Sequence, residues 1–213
     1  RKETNKIIRE GRVIVNGKPC IEGQWVELSD EILLDGKPLV PKEKIYIALN
    51  KPVGVVCTAA EEVKDNIIDY LGIDDYVFPI GRLDKDSQGL IILTNDGDLN
   101  HKLISPKYHV DKVYYAEINA PITEKDIKAF ENGVTLDDGY KCMSAKLKVI
   151  ESLEDSSRVE VTVQEGKYHQ VKRMFEARGK KVVYLKRTSF GNLPLDESLE
   201  EGEYKELSES ELA

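Results

Sequence analysis

Gly81-Arg82-Leu83-Asp84-Lys85-Asp86-Ser87-Gln88-Gly89-Leu90 is the stretch around which the rest of the chain is organised. One apolar run, Tyr76 to Ile80, precedes it and another, Leu90 to Leu93, follows. The segment therefore reads as a turn joining two buried strands. Arg82, Asp84 and Asp86 fall near a core, where charge is costly unless it is paired or used. Two readings stay open at this level: a polar turn whose aspartates accept from nearby backbone N–H groups, or a carboxylate held for chemistry.

The surrounding composition narrows the class. With 213 residues and 40% apolar content, the chain can bury a real core, and no apolar run is long enough to span a membrane. Cys20, Cys57 and Cys142 are far apart and form no Cys-x-x-Cys pair, so neither a disulfide framework nor a zinc site is indicated, and a reducing cytoplasm fits. The first residues, Lys2 to Glu10, read as the middle of a charged helix, so residues are expected in front of Arg1. The formal charge of -8 argues against a nucleic-acid partner until its distribution is considered. Residues 194–213 carry eight acids and one lysine, which leaves about -1 for the rest, and Glu165 to Arg187 hold eight Lys or Arg against two Glu. A basic stripe on a near-neutral body is compatible with RNA, and also with a solvated helix face beside a strand.

In chain order, a helix over Glu3 to Glu10 ends at Gly11, and Val13-Ile14-Val15-Asn16-Gly17 enters a hairpin turn. Trp25 to Leu28 and Ile32 to Gly36 supply further short strands. This order resembles the S4 RNA-binding domain, over residues 1–40. Lys6, Arg9 and Arg12 share one helical face, as expected of phosphate contacts or of a plain surface helix. Lys37 to Lys42, with two prolines, reads as a linker, and the domain boundary is set at 41–43. The second unit, 44–213, opens with the buried-type strand Ile45 to Leu49. Lys51 follows in a turn, as a phosphate contact or merely a turn residue. Val55 to Thr58 continues as a strand. Tyr114 and Tyr115 are adjacent on the strand Lys112 to Ile118 and so face opposite sides. Glu165 to Phe175 opens a helix on which Val171, Met174 and Phe175 share a packing face while His169, Lys172 and Arg173 group on a neighbouring one. His101, His109 and His169 lack metal-ligand spacing. Many strands with short helices between hairpins predict an α+β fold with a mixed, mostly antiparallel sheet.

The chain contains no Walker lysine motif, Gly-x-Gly-x-x-Gly, His-Glu-x-x-His or nucleophile elbow. What remains is Asp84, a carboxylate of the kind that serves as a nucleophile at a sugar carbon or an electrophilic ring when a nearby cation keeps it ionised. Four motifs then occur in order: Asn50-Lys51-Pro52; Gly81-Arg82-Leu83-Asp84 with Gly89-Leu90; Lys112-x-Tyr114; and Glu165-Gly166-x-x-His169-Gln170-Val171-Lys172-Arg173-Met174-Phe175. Together they resemble the RsuA/RluB-type pseudouridine synthases over about residues 44–207. The Tyr168-His169-Gln170 form and Lys172 are similar to the small-subunit branch of that family.

The resemblance implies a long bent sheet with a central cleft, and a uridine of rRNA, at position 516 of 16S rRNA, as target. It implies Asp84 as nucleophile, Tyr114 stacking on the flipped base and assisting proton removal from C5, and Lys172 paired with the aspartate. Arg82 fixes the motif or binds phosphate, and Asp86 is left a turn or structural role. Lys167, His169, Gln170, Arg173, Leu185, Lys186 and Arg187 complete the expected RNA-contact set. Because the reaction is an isomerisation, no cofactor or metal is expected, and the chain is expected to act as a monomer on a small-subunit assembly particle. Three alternatives stand beside this reading: a large-subunit (23S) synthase, a non-catalytic S4-type assembly factor, and a glycosidic hydrolase with a second carboxylate across the cleft.

Overall fold

The computed structural model describes residues 2–27, 29–40, 43–73 and 75–212. The chain forms two compact units, Arg1–Glu43 and Lys44–Ala213. The first contains α1 (Lys2–Arg9), β1 (Val13–Val15), β2 (Lys18–Pro19), β3 (Ile32–Leu34) and β4 (Lys37–Pro38), with the strands ordered β2-β1-β3-β4. Two turns shape it, each led by a residue with positive φ, Asn16-Gly17 and Asp35-Gly36, the type that joins tightly paired strands.

Two expectations change in this unit. The segment expected to be a linker begins with a strand, because Lys37 and Pro38 pair with Leu34 and Leu33. Trp25 to Glu27 form no strand, and Trp25 is 96% exposed; Leu28 lies outside the described residues.

The second unit contains β5 (Tyr46–Lys51), α2 (Ile67–Leu71), β6 (Phe78–Pro79), β7 (Gln88–Thr94), α3 (Gly97–Ile104), β8 (Lys112–Ile118), α4 (Glu124–Glu131), β9 (Lys146–Ser152), β10 (Ser157–Val163), α5 (Gln170–Glu176), β11 (Val182–Phe190), β12 (Leu193–Pro194) and β13 (Tyr204–Glu206). Its bent sheet runs β13-β5-β7-β11-β8-β10-β9, with β6 on β7 and β12 on β11. β7 and β11 are parallel and the other strand pairs antiparallel, so the α+β, mostly antiparallel reading is correct. Val55 to Thr58 contribute one isolated bridge, from Val56 to Asn66, rather than a strand.

Burial follows the sequence pattern. β5 is buried along its whole length and β7 from Gly89 to Thr94, and their central residues are apolar because both faces are covered. On one face Leu49, Ile91, Ala116, Val161 and Leu185 pack with Met174 and Phe175 of α5 and Phe130. On the other, Tyr46, Ala48, Leu90, Ile92 and Phe190 pack with Leu99 and Leu103 of α3. β8 alternates instead: Lys112, Tyr114, Ala116 and Ile118 are buried while Val113, Tyr115 and Glu117 are half-buried. Among the described residues no helix is long and apolar enough to cross a membrane.

Candidate active site

The turn expected between two strands lies between β6 and β7, and its shape is held from beneath by Lys51. That side chain is fully buried, and its Nζ donates to the carbonyls of Pro52 (2.9 Å), Asp84 (3.2 Å) and Ser87 (2.8 Å). Burial pulls the Lys51 pKa down, only partly opposed by nearby anionic groups. Lys51 is therefore not a phosphate contact. It is an internal cation that ties the end of β5 to the loop carrying Asp84. The Leu83 N–H donates to buried Cys57 Sγ (3.4 Å), and the Ser87 N–H to the Asp84 carbonyl (3.0 Å). Gly89 closes the loop at φ +100°, where an added Cβ would lie 2.2 Å from the Arg187 carbonyl oxygen. The close parallel crossing of β7 and β11 thus requires glycine there.

The Asp84 carboxylate meets the start of α5. Lys172 Nζ lies 3.0 Å from Oδ2 and His169 Nε2 3.4 Å from Oδ1. Lys172 lies on the first turn of α5 and His169 at its N-cap, so the entry to the helix delivers both groups. Lys172 also reaches Asp86 Oδ1 at 2.6 Å. Asp86, expected to be a turn residue only, is thus a second anionic partner of Lys172, which holds its carboxyl below the usual range. Burial pulls the Lys172 pKa down, but bonds to Asp86 and Asp84 outweigh this and leave it raised. The ammonium stays charged across the neutral range.

The entry to α5 is fixed by buried polar groups. Gln170 Oε1 accepts the Lys167 N–H (3.0 Å) and its Nε2 donates to Glu165 Oε2 (3.0 Å). Glu165, itself buried, also accepts from the Tyr140 hydroxyl (2.5 Å) and the Met143 N–H (2.7 Å). The bond to Glu165 pushes the Tyr140 phenol up to about 12. Gln170 is accordingly a brace for the turn and not an RNA contact.

Asp84 shares a cleft with Arg82, Leu83, Tyr114, Val163, Lys167, Val171 and Leu185. Leu83, Val163, Val171 and Leu185 supply its apolar lining and Arg82 and Lys167 its basic groups, and the Tyr114 hydroxyl has no hydrogen-bond partner among the described residues. Tyr115 faces the other side, where its hydroxyl donates to Glu117 (3.0 Å). The exposed Arg82 makes no ion pair among the described residues, and Lys167 Nζ sits 4.3 Å from the Tyr140 ring centroid.

The other expected RNA contacts are placed differently. Lys186 pairs across from Tyr115, on the sheet face away from Tyr114. Arg187 is buried, donating from Nε to the Leu90 carbonyl (2.7 Å) and lying 4.8 Å from the Phe190 ring. Arg173 is largely buried against Asp137 and Asp138, the latter at 2.7 Å, so its charge is already matched. In the first unit, Lys6 lies 4.0 Å from Glu10, Arg9 pairs with Glu22, and Arg12 pairs with Asp35 at 2.6 Å. These three cations form no free basic face, though exposed pairs of this kind are weak. Sequence reasoning counted His169 as an RNA contact and missed its contact with the nucleophile candidate; the His169–Lys172 spacing was the available signal.

Two residues before Tyr114 on β8, Lys112 is buried, with the Val110 carbonyl (3.1 Å) its one hydrogen-bond acceptor among the described residues, 5.1 Å from the Phe190 ring. Burial, then repulsion from Arg187, pulls its pKa down to about 8. Between that value and the ordinary lysine value the unfolded chain binds the extra proton, so stability rises with pH over this window. The rise is on the order of 3 kcal/mol. Urea unfolding of the wild type and Lys112→Met from pH 7 to 10 should show the wild-type-minus-variant stability difference rising with pH; a constant difference would refute the assignment.

The comparisons with known proteins identify the family. The family model described as RNA pseudouridylate synthase matches residues 45–177, which include Asp84, Tyr114 and Lys172. The chain is 40% identical over 217 residues to the RNA pseudouridine synthase YtzG of Bacillus subtilis, covering all of this chain and 91% of that protein. It is 39% identical over 220 residues to the ribosomal small subunit pseudouridine synthase A of Haemophilus influenzae, covering all of this chain and 92% of that one. To the ribosomal large subunit pseudouridine synthase B of Bacillus subtilis it is 36% identical over 216 residues, covering all of this chain and 88% of the relative. A crystal structure of a pseudouridylate synthase superposes with a TM-score of 0.72 at 38% identity, covering 99% of this chain and 91% of the other. A family model matching residues 45–177 and relatives 36–40% identical along the whole chain place the chain in the RNA pseudouridine synthase family.

Proposed function

We propose that this enzyme converts a uridine of ribosomal RNA to pseudouridine, with Asp84 as nucleophile, Lys172 as its counter-ion and Tyr114 as the residue that stacks on the flipped base and receives the C5 proton. The observation that carries the reading is the Lys172–Asp84 pair at 3.0 Å, in a cleft that Tyr114 also lines. A target base must leave its stack to reach a carboxylate at that depth. The C1′–N1 bond breaks, uracil turns, a C1′–C5 bond forms, C5 gives up its proton and N1 gains one. Atoms and electrons balance within the nucleotide, so the protein supplies an ionised nucleophile, an apolar wall and a base.

Within ribosomal RNA we infer a small-subunit target, the uridine at position 516 of 16S rRNA, acted on by a monomer in a partly assembled particle. The identity to a small-subunit synthase and the His169-Gln170 form of the last motif support it. Residues 1–40 are inferred to be an S4-like RNA-binding unit. The test uses 16S and 23S rRNA transcribed with uridine tritiated at C5. Release of tritium from 16S alone, mapped to one uridine, is the expected result. Release from 23S alone would move the target to the large subunit, and release from neither would overturn the reading.

A further inference from the structure

Tyr168 takes no part in the machinery above, yet it stands beside it. The residue is 75% exposed, an unusual setting for an aromatic residue next to a nucleophile candidate. One ring face lies on the imidazole of His169, with centroids 3.8 Å apart and planes 17° from parallel. His169 in turn approaches Asp84 at 3.4 Å. With one face covered and three-quarters of the residue in solvent, the other face of Tyr168 is open.

The ring is held in place rather than loose. His169 has φ +49°, a left-handed conformation that a non-glycine residue keeps only when its surroundings enforce it. Here the enforcement is the Gln170 brace to Lys167 and Glu165, together with a bond from Arg173 Nη1 to the Tyr168 carbonyl (3.5 Å). The tyrosine hydroxyl has no hydrogen-bond partner among the described residues, so hydrogen bonding does not account for its position. Lys167 precedes it, and Arg82 lines the same cleft; both are exposed cations suited to phosphates.

We propose that the outer face of Tyr168 is a stacking platform for an unpaired base of the RNA adjacent to the target uridine, so that the Tyr168–His169 stack continues the RNA's own stacking up to the nucleophile. Aromatic side chains and histidines serve as such platforms for splayed bases, and stacking tolerates any base because every base has a π-face. The proposal rests on the ribosomal RNA reading above.

The test compares wild type, Tyr168→Ala, Tyr168→Phe and Tyr168→Trp on 16S and 23S rRNA tritiated at uridine C5. Gel-shift affinity and single-turnover tritium release at saturating RNA are both measured. Tyr168→Ala should bind about tenfold or more weakly, the scale of losing one stacked base, while its saturating rate stays within about twofold of wild type. Tyr168→Phe and Tyr168→Trp should behave as wild type. Unchanged affinity of Tyr168→Ala would overturn the proposal, as would equal weakness of Tyr168→Phe, which would assign the role to the hydroxyl. So would a fall in saturating rate with affinity kept, which would mean that the ring acts on Asp84 through His169. A Tyr168→Ala defect on assembled small-subunit particles but not on free rRNA would overturn it in favour of a protein partner. Wild-type binding without tritium release would count against the functional reading, while the affinity comparison would still decide the platform; wild type binding neither RNA would overturn both.

Discussion

Asp84→Asn should abolish turnover while leaving the fold and RNA binding in place. The amide keeps the shape of the side chain but removes the negative charge and the nucleophile. Loss of a covalent nucleophile costs on the order of 10⁴-fold or more in rate. The structure explains why stability should survive. Lys172 retains Asp86 at 2.6 Å, so the substitution leaves no uncompensated ammonium. The partly exposed pair with Lys172 and the contact with His169 are lost, a cost of about 1 kcal/mol. Single-turnover tritium release, gel shift on the same RNA and thermal unfolding together test this. A variant with more than about 1% of the wild-type rate would remove Asp84 from the nucleophile role.

Lys172→Met has the second largest expected effect, and acts on rate and stability together. The ammonium stands between two carboxylates, at 3.0 Å from Asp84 and 2.6 Å from Asp86. Taking it away leaves two anions in one partly enclosed site with no cation between them. A fall in the saturating rate of about 10²-fold or more is expected, with destabilisation of about 2 kcal/mol. Lys172→Arg restores charge but not the compact geometry of the amine, so it should recover part of the rate. Asp86→Asn should be mild, because the Asp84 pair remains. Asp86→Asn as damaging as Lys172→Met would show that the ammonium serves Asp86 first, and a fully active Lys172→Met would break the proposed pairing.

Much of the second unit was legible because its signals are local. Continuous apolar runs at Tyr46 to Leu49 and Leu90 to Leu93 correspond to strands covered on both sides, and the alternation of Lys112 to Ile118 matches a strand with one face buried. The polar stretch between Ile80 and Gln88 stood out against its apolar flanks. Short strands were harder. Lys37-Pro38 reads as a linker because proline often marks a boundary, yet a two-residue edge strand accommodates it. Trp25 to Glu27 had strand composition but form no strand.

What the amino-acid sequence determined by itself was the set of parts: a polar loop bearing Asp84 between apolar runs, a strand bearing Tyr114, and a helix start on which His169 and Lys172 share a face. Those features rest on neighbours in the chain, whose spacing sets which way each side chain points. The tertiary structure alone decided which charges meet. Lys51 and Lys172 are both lysines in polar motifs, yet one is buried under three backbone carbonyls and the other faces two carboxylates. Arg187, Arg173 and Lys186 read as one basic stripe, and the fold separates them into a buried brace on β11, a matched ion pair on α5 and a β11 residue on the opposite sheet face. The energy of a charge depends on burial and on partners distant in sequence, and periodicity carries neither.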